Sequence, residues 1–236
     1  MFLNIAGYRF ISLSSLTPLR ESLLSLCKQL SLKGTILLSH EGINLNLAGL
    51  PASLTQFIAF LEQDERFNNM AFHRTYSNFI PFKRLKIKLK KEIITFRQEQ
   101  ISLSHQRTPA VLPQQLKTWL DEKQDVVLID VRNDYEYAMG SFKDARHLNL
   151  KHFDELPQKL SETPLCPLQK IVMFCTGGIR CEKAGLYFNQ QNLTKVYQLQ
   201  GGILGYFAEV GGDHYQGHCF VFDDRIALDS QLNSCP

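Results

Sequence analysis

Apolar and polar residues recur with two different periods along this chain, and the periods predict two series of elements. Leu3 to Ile11 reads as a strand. Leu19, Leu23, Leu26 and Leu30 then recur at helical spacing behind Thr17-Pro18, and proline is tolerated in a first helical turn. Gly34 stands where that helix is expected to end. Thr35-Ile36-Leu37-Leu38 and Ile43-Asn44-Leu45-Asn46-Leu47 predict a strand pair around His40-Glu41-Gly42. Pro51 opens a second helix with Leu54, Phe57, Ile58 and Leu61 on one face, and strands follow around Phe72–Tyr76 and Leu85–Leu89.

The order strand-helix-strand-strand-helix-strand predicts a ferredoxin-like α+β sandwich. Residues from about Glu99 to Pro113 are polar, carry Pro109 and Pro113, and read as a linker. Beyond them, helices alternate with apolar strands. A helix is expected over Leu112–Lys123, with Trp119 as core packing or an interdomain contact. Val126-Val127-Leu128-Ile129-Asp130-Val131 is apolar on both faces, as a parallel strand covered on both sides should be. A short strand near His147–Leu150, a helix from about Phe153, the strand Ile171-Val172-Met173-Phe174, a helix, Val196-Tyr197-Gln198-Leu199 and a helix after Gly201-Gly202 complete the series. This alternation predicts a small α/β domain with a mostly parallel sheet. The expected organisation is a ferredoxin-like domain over 1–98, a linker over 99–111, the α/β domain over 112–212 and a C-terminal segment over 213–236.

The chemistry concentrates in Cys175-Thr176-Gly177-Gly178-Ile179-Arg180-Cys181. A strand delivers Cys175 into a glycine-containing loop that opens a helix, and backbone N–H groups there can turn inward on an anion. A thiolate is such an anion, and Arg180 adds a positive charge. Both lower a thiol pKa and make the cysteine a nucleophile near neutral pH. Four residues separate Cys175 from Arg180. That is one fewer than in the phosphate-cradling loop of cysteine-dependent phosphatases, and it resembles a rhodanese loop sized for sulfur. Thr176, Gly177, Gly178, Ile179 and Arg180 are candidates for binding an anion or substrate. The alternative is a buried, inert cysteine. Arg180 either binds substrate phosphate or holds the loop. Cys181 either resolves a persulfide or disulfide on Cys175 or only packs. Cys27, on an amphipathic helix, is expected in the core.

Charge changes the picture of the first domain. Residues 1–100 carry 13 Lys+Arg against 7 Asp+Glu, and the remainder carries 13 against 16. A basic first part beside a mildly acidic second suggests a polyanionic partner. In Lys83-Arg84-Leu85-Lys86-Ile87-Lys88-Leu89-Lys90-Lys91, apolar and basic residues alternate as on a two-faced strand. Lys83, Arg84, Lys86, Lys88 and Lys90 are candidates for contact with nucleic-acid phosphates. The competing reading is a solvated face, or an edge strand protected by lysines. No apolar run is long enough to span a membrane, and no basic stretch precedes an apolar block at the N-terminus. Cys27, Cys166, Cys175, Cys181, Cys219 and Cys235 are scattered. They are expected to be reduced thiols in a cytoplasmic protein. His214, His218 and Cys219 lack a fourth metal ligand nearby, so no metal site is expected.

Asp130-Val131-Arg132 with Glu136, Gly140-Ser141-Phe142, the Cys175 loop and Leu199-Gln200-Gly201-Gly202 together resemble a rhodanese homology domain. Longer stretches resemble one subgroup: Gly34 to Asn44, Pro81 to Lys86, Asp130 to Glu136, Cys175 to Ala184, and Phe220-Val221-Phe222-Asp223. That subgroup is the rhodanese-domain tRNA uridine hydroxylases, the TrhO (YceA-like) family. The resemblance implies oxygen-dependent 5-hydroxylation of the wobble uridine, with molecular oxygen as co-substrate and the tRNA anticodon region as partner. It also implies a catalytic role for Cys175. No motif for a metal or an organic cofactor is evident, and oligomeric state is not legible. The chain departs from the family at Leu45-Asn46-Leu47 and at Tyr215-Gln216-Gly217-His218. It ends at Cys235-Pro236, where members tend to have a cysteine-rich tail, and a truncated tail and a member with a reduced tail are both open readings of the C-terminal segment. The loop alone fits a sulfurtransferase carrying a persulfide on Cys175 equally well. A non-catalytic RNA-binding or redox-sensing module is a third class.

Overall fold

The computed structural model describes residues 1–101 and 107–235. They divide into two compact units. The first is Met1–Ile94 with Asp223–Arg225; the second is Thr95–Phe222 with the residues from Ile226 onward. Residues 102–106, inside the segment read as a linker, and Pro236 lie outside the described residues.

The first unit follows the predicted order. It comprises β1 (Phe2–Phe10), α1 (Leu16–Gln29), β2 (Lys33–Ser39), β3 (Gly42–Gly49), α2 (Pro51–Glu62), β4 (His73–Ser77) and β5 (Leu85–Leu89). Its sheet has the order β4-β1-β3-β2-β5. β1 runs antiparallel to β3 and β4, and β2 lies antiparallel to β3 and parallel to β5. The first four strands in this order are the ferredoxin-like arrangement, so β4 closes the motif and β5 extends the opposite edge. Strand alternation turns Leu3, Ile5, Ile36, Leu38, Ile43, Leu45, Leu47 and Ile87 to one side. There they meet the helical stripes Leu23, Cys27, Leu54, Phe57, Ile58 and Leu61 in a single core. α1 ends at Gln29, so Gly34 lies inside β2 rather than at the helix end. Arg225 pairs with Asp223 at 2.6 Å and donates to Thr75 Oγ1 at 2.7 Å.

The second unit is built from β6 (Ala110–Val111), α3 (Pro113–Asp121), β7 (Val126–Asp130), α4 (Asp134–Tyr137), β8 (Gly140–Phe142) and β9 (Arg146–His147). There follow α5 (Leu156–Ser161), β10 (Lys170–Phe174), α6 (Ile179–Gln190), β11 (Val196–Leu199), α7 (Gly202–Glu209), β12 (Tyr215–Gly217), β13 (Cys219–Phe220) and β14 (Ala227–Leu228). Its main sheet has the order β6-β11-β10-β7-β9, and every neighbouring pair is parallel. Parallel strands need helical crossovers, so the apolar runs of β7 and β10 are covered on both faces. Trp119 packs edge-on to Tyr197, with ring centroids 5.8 Å apart, and carries Lys170 Nζ 4.0 Å above its own centroid. Among the described residues no helix is long and apolar enough to cross a membrane.

Candidate active site

β10 is the middle strand of the parallel sheet, and Cys175 follows directly at its carboxyl end. Open α/β sheets bind ligands at that end. The chain there must reverse from strand to helix within a few residues. Gly178 makes this possible with φ of +100°, a left-handed conformation that disfavours side chains. α6 starts at the next residue, so the loop N–H groups turn inward at a helix N-terminus. The Gly178 N–H donates to Cys175 Sγ at 3.2 Å.

The start of α7 grips the outer side of the same loop. The Ile203 N–H donates to the Cys175 carbonyl at 2.9 Å, and the Leu204 N–H to the Thr176 carbonyl at 3.0 Å. Gly202 lies between these contacts with φ of +60°. A Cβ there would lie 2.4 Å from the Cys175 carbonyl oxygen. The predicted Gly201-Gly202 pair is therefore the close-approach point that pins the loop's carbonyls outward and leaves its N–H groups for sulfur.

Burial is the largest influence on Cys175 and works against its thiolate. It is outweighed by a hydrogen bond from the Cys181 side chain, by the charge of Arg180, and by the backbone N–H groups of Arg180 and Gly178. The result is a pKa lowered from 9.0 to about 6. Cys181 moves the other way: burial and the neighbouring Cys175 raise it well above 9.0, so it stays a thiol and donates. A depressed folded pKa means that the thiolate's contribution to stability is complete above the ordinary thiol range. It is lost as pH falls through about 6. The thiolate absorbance that Cys175→Ala removes is expected to titrate with a midpoint near 6. Cys181→Ala should move that midpoint upward and Cys181→Ser less so, because serine keeps a donor. An unmoved midpoint in Cys181→Ala contradicts the assignment.

Arg180 is nearly fully buried, and its Nη1 and Nη2 each donate to Glu136 at 2.6 Å. Burial opposes the guanidinium charge, but the Glu136 carboxylate more than offsets it and raises the arginine pKa. Glu136 also accepts from Thr176 Oγ1 at 3.3 Å and from the Asn133 N–H at 3.2 Å. One carboxylate thus ties the cysteine loop to the start of α4. Beneath it, Asp130 and Arg132 form a fully buried pair at 2.6 Å, with Ser141 Oγ donating to Asp130 and Arg132 Nη2 to the Gly140 carbonyl. Through Glu136, Arg180 is thus linked to Thr176 of its own loop and to the Asn133 N–H. The part played by Glu136 was not read from the sequence. Asn133-x-x-Glu136, the spacing of a helix capping box, was the available signal.

The loop candidates fall together: Thr176, Gly178 and Arg180 are buried, and Gly177 and Ile179 are half-buried. The basic candidates belong to the first unit. Lys83, Arg84, Lys88 and Lys90 are exposed and Lys86 is half-buried, on or beside the edge strand β5. His214 Nε2 sits 2.7 Å from an Asp121 carboxylate oxygen, and Cys219 is buried in the core with its thiol pushed up to about 12, chiefly by burial. Among the described residues no group of three or more His, Cys, Asp or Glu side chains is arranged to hold a metal ion.

Comparison with known proteins matches both units. Residues 2–93 match the family described as UPF0176 acylphosphatase like domain, and residues 112–209 match the rhodanese-like domain. A protein of Cupriavidus pinatubonensis named tRNA uridine(34) hydroxylase is 46% identical over 235 residues, which is 97% of this chain and 83% of that one. Proteins with the same name from Xanthomonas oryzae pv. oryzae and Xanthomonas axonopodis pv. citri are each 44% identical. They match 98% and 99% of this chain and 94% and 96% of their own lengths.

Proposed function

The chain belongs to the family of tRNA uridine(34) hydroxylases, and from that membership and the Cys175 loop we propose that it hydroxylates C5 of the wobble uridine of tRNA. The observation that carries the reading is geometric: Cys175 follows the carboxyl end of a central parallel strand, and its Sγ accepts the Gly178 N–H at 3.2 Å in the loop that also carries the buried Arg180. C6 of uracil is the β-carbon of a conjugated carbonyl and accepts a thiolate. Addition of Cys175 Sγ to C6 makes C5 enolate-like and reactive toward dioxygen. One oxygen atom becomes the 5-hydroxyl. The other leaves as water, with two equivalents of a thiol reductant oxidised to a disulfide. Loss of the C5 proton and departure of Sγ restore the uracil double bond and the thiolate.

Each loop element has a part in this cycle. The inward N–H groups and the Cys181 thiol stabilise Sγ whenever it is free, which favours its departure from C6. Arg180 and Glu136 fix the loop, and Gly177 and Ile179 are the loop residues left to meet the base. Cys175 is fully buried, so the uridine must be unstacked and the loop must admit it. The test is turnover of the purified protein with tRNA and a thiol under ¹⁸O-labelled dioxygen, followed by nucleoside mass analysis. Labelled 5-hydroxyuridine is expected; product labelled only from water refutes the oxygen step.

The basic face of β5 is assigned to the tRNA backbone, and the reaction to the cytoplasm. Phosphate contacts make affinity fall with salt. The double change Lys86→Glu with Lys88→Glu is expected to weaken tRNA binding and to reduce the slope of log affinity against log salt by about 1–2. Unchanged affinity in a filter-binding titration would leave these lysines as protectors of a sheet edge. The four-residue spacing between Cys175 and Arg180 also suits a persulfide carrier. Rapid thiocyanate formation from thiosulfate and cyanide, with no change in tRNA, would favour that reading.

A further inference from the structure

Cys219-Phe220-Val221-Phe222 alternates strictly in burial. Cys219 and Val221 point into the core of the second unit, while Phe220 is half-buried and Phe222 is 54% exposed. The pairing of β13 with β14 matches Cys219 to Leu228 and Phe220 to Ala227, and the next residue continues the run, with the Val221 N–H donating to the Ile226 carbonyl at 2.8 Å. Two phenylalanines therefore share the outward side of one short segment. Tyr135, 47% exposed at the start of α4, joins them. Its ring meets Phe220 edge-on at 5.1 Å, and Phe220 meets Phe222 edge-on at 5.1 Å. The chain of rings leads to the catalytic loop: Arg180 Cζ lies 5.9 Å from the Phe222 ring centroid, within cation–π range. Tyr135 also immediately precedes Glu136, the partner of Arg180.

Core packing does not account for these rings. The core is already served by Cys219, Val221 and Leu228, and large aromatic side chains left half in water forgo the stabilisation that burial would give. Single-stranded RNA is the ligand whose chemistry matches exposed rings beside a guanidinium, because unstacked bases regain stacking on aromatic side chains. An enzyme that draws one base out of a loop also leaves that base's neighbour without its stacking partner.

We propose that Tyr135, Phe220 and Phe222 form a stacking platform for the nucleobase next to the target uridine, holding the anticodon loop open over the Cys175 loop. This rests on the uridine hydroxylase reading. Phe222, coupled to Arg180, is the central position, and Tyr135 is the outer one. Neither touches the reacting atoms, so both are positioning residues.

The test uses the full chain and an anticodon stem-loop RNA carrying 2-aminopurine immediately 3′ of the target uridine. This fluorophore dims when it stacks. Binding to the Cys175→Ala protein, which cannot turn over, is expected to quench it. Adding Phe222→Ala or Tyr135→Ala should abolish or halve the quench, and Phe222→Trp should preserve it. In otherwise unaltered protein, Phe222→Ala is expected to raise KM for tRNA roughly tenfold or more, the scale of one lost base stack, with a smaller change in kcat. Unaltered quenching and KM in both alanine variants would overturn the platform while the unaltered protein still hydroxylates uridine. Absence of hydroxylation by the unaltered protein would overturn the underlying reading, and the platform with it.

Discussion

Cys175→Ala is expected to lower 5-hydroxyuridine formation on tRNA on the order of 10³-fold or more, the scale on which deleting a catalytic nucleophile acts. The protein should remain folded. Removing Sγ takes away one small buried atom together with its charge, and a change within about 1–2 kcal/mol of unfolding free energy is expected. The loop keeps its outer anchors, because the bonds from Ile203 and Leu204 to the carbonyls of Cys175 and Thr176 do not involve the thiol. The same prediction has a covalent side. Once Sγ has added to C6, turnover requires loss of a proton from C5, and fluorine there cannot leave as a proton does. A tRNA carrying 5-fluorouridine at the wobble position is therefore expected to accumulate a denaturation-resistant adduct with the unaltered protein and none with Cys175→Ala. Peptide mass mapping should place the adduct on Cys175. Product formation by Cys175→Ala would end the nucleophile assignment.

The second large effect is expected at Glu136. Its carboxylate is fully buried and spans both Nη atoms of Arg180. Glu136→Ala leaves a buried guanidinium without its counter-charge, which costs about 3–5 kcal/mol when one partner of such a pair is removed. The Thr176 hydroxyl and the Asn133 N–H lose their acceptor in the same step. Urea unfolding should register the loss. Hydroxylation should fall with it even under conditions where the variant is folded, because the loop is no longer tied to α4. Glu136→Gln keeps the shape and one acceptor oxygen and is expected to fall between. A Glu136→Ala protein as stable as the unaltered one would mean that Arg180 finds another partner and that Glu136 is not the tie.

The legible and illegible parts of this protein divide along physical lines. Periodicity carried the first unit well, because Leu3, Ile5, Leu45 and Leu47 alternate toward one core and Leu54, Phe57, Ile58 and Leu61 form one helical stripe. The exception is Gly34, which reads as a helix end but lies inside β2. Glycine signals freedom of backbone without saying which use is made of it. The placement of β5 on the far edge beside β2 is a long-range pairing that no local pattern encodes. In the second unit, the strand–glycine–helix grammar located Cys175 and its N–H groups. The ion pairs that fix the loop were not legible. Glu136 and Arg180 are far apart in sequence, and charged residues ordinarily read as surface. The role of Gly202 was likewise hidden, since it depends on what the fold brings against it.

The most direct measurement is on tRNA from cells lacking this gene, with either the unaltered protein or Cys175→Ala restored, digested to nucleosides and compared by mass. The account predicts that the 5-hydroxylated wobble uridine disappears with the gene, returns with the unaltered protein and stays absent with Cys175→Ala. Its persistence without the gene, or its return with Cys175→Ala, would contradict the account.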